Sequence, residues 1–308
     1  MRVAFQGEPG AFSEEAALRL LGPEIETVPR PTFDLAFRAI DDGLALAVLA
    51  PVENSLAGSV VRVYDLLLTS KLRIVAETIL PIEHHLIGCA GASLESIRSV
   101  ASHPMALAQC ERFFLKHPQL KRVPAEDTAG SVREALASGD KTRAGIAGRR
   151  AAEHYGGLIL APAIQDDAEN YTRFVLLIPM QLGTDASAEA LYRGAADVMA
   201  ELKMRQRQTF QMPPVLKMCL ALRLAHRPGA LLAALEPFSH AGINLLKIES
   251  RPMHGRPWEY QFFIDVEAET REQLFGTLDE VRKATSDLHI LGLYPAERSV
   301  AASTHKAS

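Results

Sequence analysis

Five short segments bring together residue types that bind anions or donate protons; four of them open a helical pattern and the fifth leads into an apolar run. GEPGAFS at 7–13 sets two glycines and a proline directly after the first apolar run. Ser13 can cap a helix there whose N–H groups could receive an anion. Without GxGxxG or GxxxxGK[ST] spacing, a plain strand-to-helix turn is the competing use. PVENSLAGS at 51–59 places the Glu53 carboxylate, the Asn54 amide and the hydroxyls of Ser55 and Ser59 just after a very apolar strand. Open α/β sheets bind their ligands at such strand ends; a helix cap by Ser55 or Ser59 is the alternative. Ser102, His103 and Pro104 open a helix carrying Gln109 and Cys110, and Asp127 or Thr128 caps another. In NYTRF at 170–174, Arg173 at a cleft edge is suited to a two-pronged grip on a carboxylate, with a surface ion pair as the alternative.

Other chemistries fit less well. Cys110 with His103 would make a thiol nucleophile, but Cys110 sits in an apolar helical stretch with no orienting acid, which reads as a buried structural thiol. His84 and His85 are adjacent on a strand and point to opposite faces, so they do not share a metal ion easily, and there is no H-E-x-x-H or acidic triad to help them. Asn170, Tyr171 and Thr172 match the glycosylation sequon, which is read as coincidence in a chain without a secretion signal.

These segments belong to a chain of 308 residues, enough for about two domains. Apolar residues at 48% and charged residues at 23% are ordinary for a globular protein and exclude wholesale disorder. A net charge of -4 gives no drive toward nucleic acid or an anionic membrane. Cys89, Cys110 and Cys219 are odd in number and widely spaced, which fits a reducing compartment better than a disulfide framework or a zinc site. The start of the chain has no signal-peptide pattern, and the longest apolar run, 44–52, is far short of the roughly 18 residues a membrane span needs. A cytoplasmic protein is expected.

The elements that must position the polar segments follow from hydrophobic periodicity. From 1 to 182, short apolar runs at 2–5, 44–50, 72–79, 85–89, 143–147 and 173–178 alternate with helical patterns at 13–21, 33–41, 60–68, 105–115, 129–137 and 149–154. That alternation predicts a largely parallel α/β arrangement. Residues 81–83 and 164–166 read as crossovers between two lobes, with a ligand cleft between them. Residues 183–214 read as a linker, in which Leu191, Ala195, Val198, Met199 and Leu202 form one apolar stripe on a helix over 187–205. From 215 to 295 the order is strand, helix, strand, strand, helix, strand, a βαββαβ ferredoxin-like module whose first strand has one strongly apolar face. The polar, alanine-rich tail at 296–308 is expected to fray.

In chain order the motifs GEPGAFSEEAA at 7–17, PVENSLAGSV at 51–60, SHPMALAQC at 102–110, DTAGSV at 127–132 and the block at 144–174 ending in NYTRF resemble bacterial prephenate dehydratases. HRPGALLAALEPFSHAGINLLKIESRP at 226–252 resembles the ACT regulatory domain that follows in the single-function form. The resemblance implies two periplasmic-binding-protein-like lobes joined to a ferredoxin-like ACT domain. It implies loss of water and carbon dioxide from prephenate to give phenylpyruvate, without metal or organic cofactor. It points to Thr172, Asn54, Ser102 and Gln109 as catalytic, with Thr172 hydrogen-bonding the departing hydroxyl, and to Arg173, Glu53, Ser55, Thr128 and Phe174 around the substrate. For feedback inhibition by L-phenylalanine it points to Gly229, Ala230, Leu231, Asn244, Leu245, Glu249, Ser250, Arg251 and Pro252, at a subunit interface of a homodimer or homotetramer.

Met105 stands where the family often has glutamine, and 183–214 is longer than the usual connection. The alternatives are arogenate dehydratase, which differs only in recognising an ammonium instead of a keto group, and a non-catalytic amino-acid sensor. A DNA-linked regulator is disfavoured by the acidic balance and the lack of a helix-turn-helix pattern.

Overall fold

Alternating apolar runs and amphipathic helices build the following elements in the computed structural model, which describes residues 1–180, 193–198, 200, 215–253 and 256–297. The first half comprises β1 (Arg2–Gln6), α1 (Phe12–Leu21), β2 (Glu26–Arg30), α2 (Phe33–Asp41), β3 (Ala47–Asn54), β4 (Gly58–Ser59), α3 (Val61–Thr69) and β5 (Leu72–Pro81). It continues with β6 (His85–Gly88), β7 (Ser99–Ser102), α4 (Pro104–Ala108), α5 (Glu111–Lys116), β8 (Lys121–Pro124), α6 (Thr128–Ala137), β9 (Arg143–Ala147), α7 (Arg149–Tyr155), β10 (Leu158–Ala161) and β11 (Tyr171–Pro179). The second half has β12 (Leu216–Arg223), α8 (Ala230–His240), β13 (Asn244–Met253), β14 (Arg256–Ala268), α9 (Arg271–Ala284) and β15 (Asp287–Pro295). No helix among the described residues is long and apolar enough to cross a membrane.

Two compact units result, one of Met1–Val63 with Thr78–Phe174, the other of Tyr64–Glu77 with the described residues from Val175 onward. The first unit contains two lobes. In one, β1 pairs in parallel with β2 and β3, and β11 lies beyond β3. In the other the order is β10-β6-β9-β7-β8, parallel among β7, β8 and β9 but antiparallel where β6 meets β9 and β10. The second lobe is therefore more mixed than the alternating pattern predicts. The two crossovers run side by side: Ile82 N–H donates to Asn170 O at 2.7 Å and Ile164 N–H to His84 O at 2.8 Å.

Five strands of the first unit lie outside the expected apolar runs: β2, the two-residue β4, β7, β8 and β10, the last although it is the wholly apolar Leu-Ile-Leu-Ala. β2 and β8 are sheet edges, half exposed, and β2 holds Pro29. An edge strand needs one paired side only and tolerates proline and charge. The helix expected at 105–115 is two short helices, because Asp166 reaches in and accepts from Glu111 N at 2.8 Å and Arg112 N at 2.9 Å, starting α5 afresh.

The loop after β1 is held by a buried carboxylate. Gly10 has φ +86°, and a Cβ there would come within 2.8 Å of Ala151 Cα, so only glycine fits. Glu14 accepts from Gly10 N, Thr27 Oγ1 and Arg150 Nε, each at 2.8 Å. Burial works against its charge, but the three donors outweigh burial and hold the carboxyl below its ordinary value. A depressed folded-state value means stability that is present above the ordinary carboxylate range and lost as pH falls below it. Glu14→Ala is expected to cost about 3 kcal/mol at neutral pH. In urea melts the gap from wild type should narrow at about pH 3; an equal gap at both pH values would contradict this account.

The second unit has the βαββαβ order, with β13-β14-β12-β15 antiparallel and β5 beside β15. Gly292 lets β15 approach β5, since a Cβ there would lie 2.6 Å from Ile74 O. Leu216, Met218, Leu220 and Leu222 bury one face of β12 against Ala234 and Phe238 of α8 and Leu274, Leu278 and Val281 of α9. The opposite face, expected to be the polar one, is buried as well. Lys217 is paired with Glu77 at 2.7 and 2.9 Å, and Cys219 lies 3.2 Å from Tyr294 Oη. A lysine so buried needs its carboxylate partner, and the sequence around Lys217 does not contain one. Of the helix expected over 187–205, only 193–198 and 200 are described; they are helical, with Ala195 buried. The rest of that stretch, and the tail from 298, lie outside the described residues.

Candidate active site

A cavity of about 600 Å³ opens between the two lobes of the first unit. One wall is the loop after β1 and the start of α1 (Gly7, Ala11, Phe12, Ser13), with Asn54 at the end of β3 and Thr172 and Phe174 on β11. The other is His103, Met105, Ala106 and Gln109 around α4, with Glu126, Asp127 and Thr128 where α6 begins; Ile82 and His84 come from the crossover. The N-terminal turns of α1 and α6 thus border the cavity with their partial positive charge. Asp127 Oδ1 caps α6 by accepting from Gly130 N at 2.6 Å.

At the floor, one amide organises the donors. Asn54 Oδ1 accepts from Leu56 N at 3.0 Å and Ala57 N at 2.8 Å, which settles which end of the amide is nitrogen. Nδ2 therefore donates to Asn170 Oδ1 at 2.7 Å and Thr172 Oγ1 at 2.9 Å, with Tyr171 O at 3.2 Å. Because the Thr172 oxygen is an acceptor in this bond, its own O–H is left to donate elsewhere. Asn170, with its oxygen engaged, turns Nδ2 to Gln109 Oε1 at 3.3 Å. His84 Nε2 lies 3.0 Å from the same oxygen. Burial pushes the His84 imidazole below its ordinary value and keeps the ring neutral; Phe12 packs edge-on against it at 5.7 Å.

Among the sequence-predicted residues, the cavity thus gathers Asn54, Gln109, Thr172, Thr128 and Phe174. Four others lie off its lining, for two physical reasons. Successive strand residues face opposite ways, so Glu53 of β3 and Arg173 of β11 leave the face that Asn54 and Thr172 share; Arg173 Nε lies 3.8 Å from Glu53 Oε2. Ser102 and Ser55 use their hydroxyls on backbone. Ser102, fully buried, donates to Ile146 O at 2.7 Å; Ser55 donates to Glu169 O and accepts from Tyr171 N, both at 2.9 Å. Cys110 is buried, which pushes its thiol up to about 12 and leaves it protonated. His85 Nδ1 accepts from Ala163 N at 3.0 Å, apart from the His84–Gln109 pair.

Asn170 and His84 are the site residues that sequence reasoning passed over, one read as part of a chance sequon and the other only as a metal ligand. The signal available for Asn170 was its place two residues before Thr172 at the end of a crossover.

In the second unit a smaller hollow of about 160 Å³ is lined by Leu224, Ala225, His226, Arg227, Ala230, Leu231, Glu259, Tyr260 and Phe262. Gly229, with φ +78°, is the N-cap of α8 beside it. Asn244, Leu245, Glu249, Ser250, Arg251 and Pro252 lie on β13, outside this lining; Lys247 Nζ is 3.4 Å from Glu249, and Arg251 bonds Asp65 at 2.7 Å.

Comparison with known proteins finds the family described as prephenate dehydratase matching residues 3–181 and the ACT domain matching 220–281. An arogenate dehydratase/prephenate dehydratase of Arabidopsis thaliana is 38% identical, over 96% of this chain and 72% of the relative. The solved structure of GqqA, described as a novel type of quorum quenching acylase, is 31% identical with a TM-score of 0.78, covering 96% of this chain and 98% of that one. Prephenate dehydratase from Arthrobacter aurescens, solved with L-phenylalanine, is 27% identical with a TM-score of 0.78, covering 97% and 93%.

Proposed function

Because the chain belongs to the prephenate dehydratase family, we propose that it converts prephenate to phenylpyruvate, water and carbon dioxide, under feedback inhibition by L-phenylalanine through its ACT domain. The single observation that carries the chemistry is the Asn54–Thr172 hydrogen bond at 2.9 Å, which leaves a threonine O–H free as a donor in the cavity.

In the elimination the bond from the ring to its carboxylate breaks, and its electrons enter the ring. The bond to the ring hydroxyl breaks at the far end, one proton is taken up, and the hydroxyl departs as water. Aromatisation supplies the driving force, so the enzyme needs orientation and a placed donor more than a strong acid. Thr172 donates to the departing oxygen. Gln109 has its oxygen engaged and offers Nε2 to the substrate, and the helix ends of α1 and α6 face the carboxylates.

Acyl hydrolysis, the activity named for one structural neighbour, needs a nucleophile beside a base. Among the described residues no histidine is hydrogen-bonded to a serine or threonine hydroxyl or to a cysteine thiol, which favours elimination. Arogenate remains the second reading, on the 38% identity to a relative named for both activities.

The purified protein is to be incubated separately with prephenate and arogenate, with and without L-phenylalanine. Phenylpyruvate from prephenate, suppressed by L-phenylalanine, is the expected result; turnover of arogenate alone would move the activity to the amino-acid analogue, and turnover of neither would favour a sensor. Gly229→Ala meets open space but forces alanine into the left-handed region at the start of α8. The free variant relieves that strain by turning its backbone, and restoring the left-handed turn on binding, at about 1 kcal/mol, should raise the half-inhibiting L-phenylalanine concentration roughly fivefold. Unchanged inhibition would remove Gly229 from the effector site. The same reading places the protein in the cytoplasm and makes it a homodimer or homotetramer; sedimentation of the full chain tests the oligomeric state.

A further inference from the structure

The polarity of the hydrogen bonds in the cavity can be followed residue by residue from the backbone outward. Two backbone N–H groups orient Asn54, Asn54 orients Asn170, and Asn170 Nδ2 requires an acceptor from Gln109. Gln109 Oε1 then needs a donor from His84, so the imidazole carries its hydrogen on Nε2. Nδ1, buried and without a hydrogen-bond partner among the described residues, is left as a bare lone pair. An orphan N–H in that position would be the costlier arrangement, and a charged ring costlier still.

We propose that His84 is a positioning residue for the dehydration, which by donating to Gln109 Oε1 holds the Gln109 amide with Nε2 turned to the substrate. The chain is continuous: His84 to Gln109 at 3.0 Å, Gln109 to Asn170 at 3.3 Å, Asn170 to Asn54 at 2.7 Å and Asn54 to Thr172 at 2.9 Å. Its terminal ring is only 2% exposed and is held by Phe12, so the donor end has little freedom to turn away. Without the His84 N–H, Gln109 Oε1 keeps only the longer bond from Asn170 at 3.3 Å, and its amide is free to turn Nε2 away from the substrate. The burial that keeps the ring neutral acts in the same direction, since a neutral ring has one hydrogen to place.

The inference rests on the dehydratase reading, and wild-type turnover is therefore the first arm of its test. With prephenate and arogenate as substrates, His84→Leu is expected to lower kcat about 30-fold while KM stays within about threefold. His84→Gln, whose amide supplies an N–H near the position of Nε2, should recover to within about fivefold of wild type. His84→Asn, one methylene shorter, should not. In a Gln109→Ala background, His84→Leu should cost no more than about a further twofold, because the amide it holds is already gone. Thermal melts accompany each variant, and if His84→Leu does not fold the Gln and Asn variants decide between them. Wild-type kcat in His84→Leu, equal activity in the Gln and Asn variants, or a full additional loss in the Gln109→Ala background would each overturn the positioning role with the dehydratase reading intact. Turnover of neither substrate by the wild type would overturn both.

Discussion

Thr172→Ala is expected to lower kcat for prephenate about a thousandfold while substrate affinity changes by less than about threefold. Thr172 is 8% exposed, lines the cavity, and has its oxygen committed as acceptor to Asn54. Its hydrogen is thereby left to be aimed at a departing hydroxyl. Threonine is too weak an acid to deliver a free proton, so its effect comes from a hydrogen bond that strengthens as negative charge builds on the leaving oxygen; such a bond raises kcat more than it tightens binding. Thr172→Ser keeps the hydroxyl and loses one methyl, at a stability cost of about 1 kcal/mol, and should keep most of the turnover. Single-turnover rates and equilibrium binding of prephenate separate the two effects. Normal turnover by the alanine variant would remove Thr172 from the mechanism.

Asn54→Asp should be as damaging and for a reason opposite in sign. The substitution conserves shape and leaves one oxygen to accept from Leu56 N and Ala57 N, so the turn after β3 survives. The other oxygen replaces Nδ2 and faces Asn170 Oδ1, 2.7 Å from the present nitrogen position, acceptor against acceptor. Thr172 would turn its hydrogen onto the new carboxylate and have none for the substrate, and a negative charge would stand near a dianion. A fall in kcat/KM of about a thousandfold is expected at neutral pH. Protonating the carboxyl restores a donor at that place. The sign of the pH effect is therefore specific: between about pH 7 and pH 5 the variant should gain activity relative to wild type as pH falls. A constant ratio across that range would show that Asn54 acts by shape alone.

Much of this site was legible in the chain itself. The carboxyl end of the apolar strand before Asn54, the polar start of the helix carrying Gln109, and the strand after Tyr171 are local features, visible in periodicity and residue type. The βαββαβ order was legible for the same reason, since each element writes its own period of 2 or 3.6 into the sequence. Edge strands such as β2 and β8, half exposed and with one side to pair, write almost none. The resemblance of the motifs then joined segments that composition and spacing leave separate.

Which neighbour of a polar pair faces the cavity was decided only in three dimensions. Glu53 and Asn54, like Thr172 and Arg173, are equally polar in sequence, and the alternation of a strand guarantees that one of each pair turns away without saying which. The answer depends on the packing of β3 beside β11, where Asn54 meets Thr172 on one face and Glu53 approaches Arg173 off the cavity. Ser102 likewise has the right chemistry and an address at the site, yet its hydroxyl is taken by Ile146 O, 44 residues away. Hydrogen bonds between side chains more than a hundred residues apart, such as Asn54 with Asn170, carry no periodic signature. They exist because burial leaves each polar group only the partners that the fold brings within reach, and those partners are a property of the folded chain and not of any segment of it.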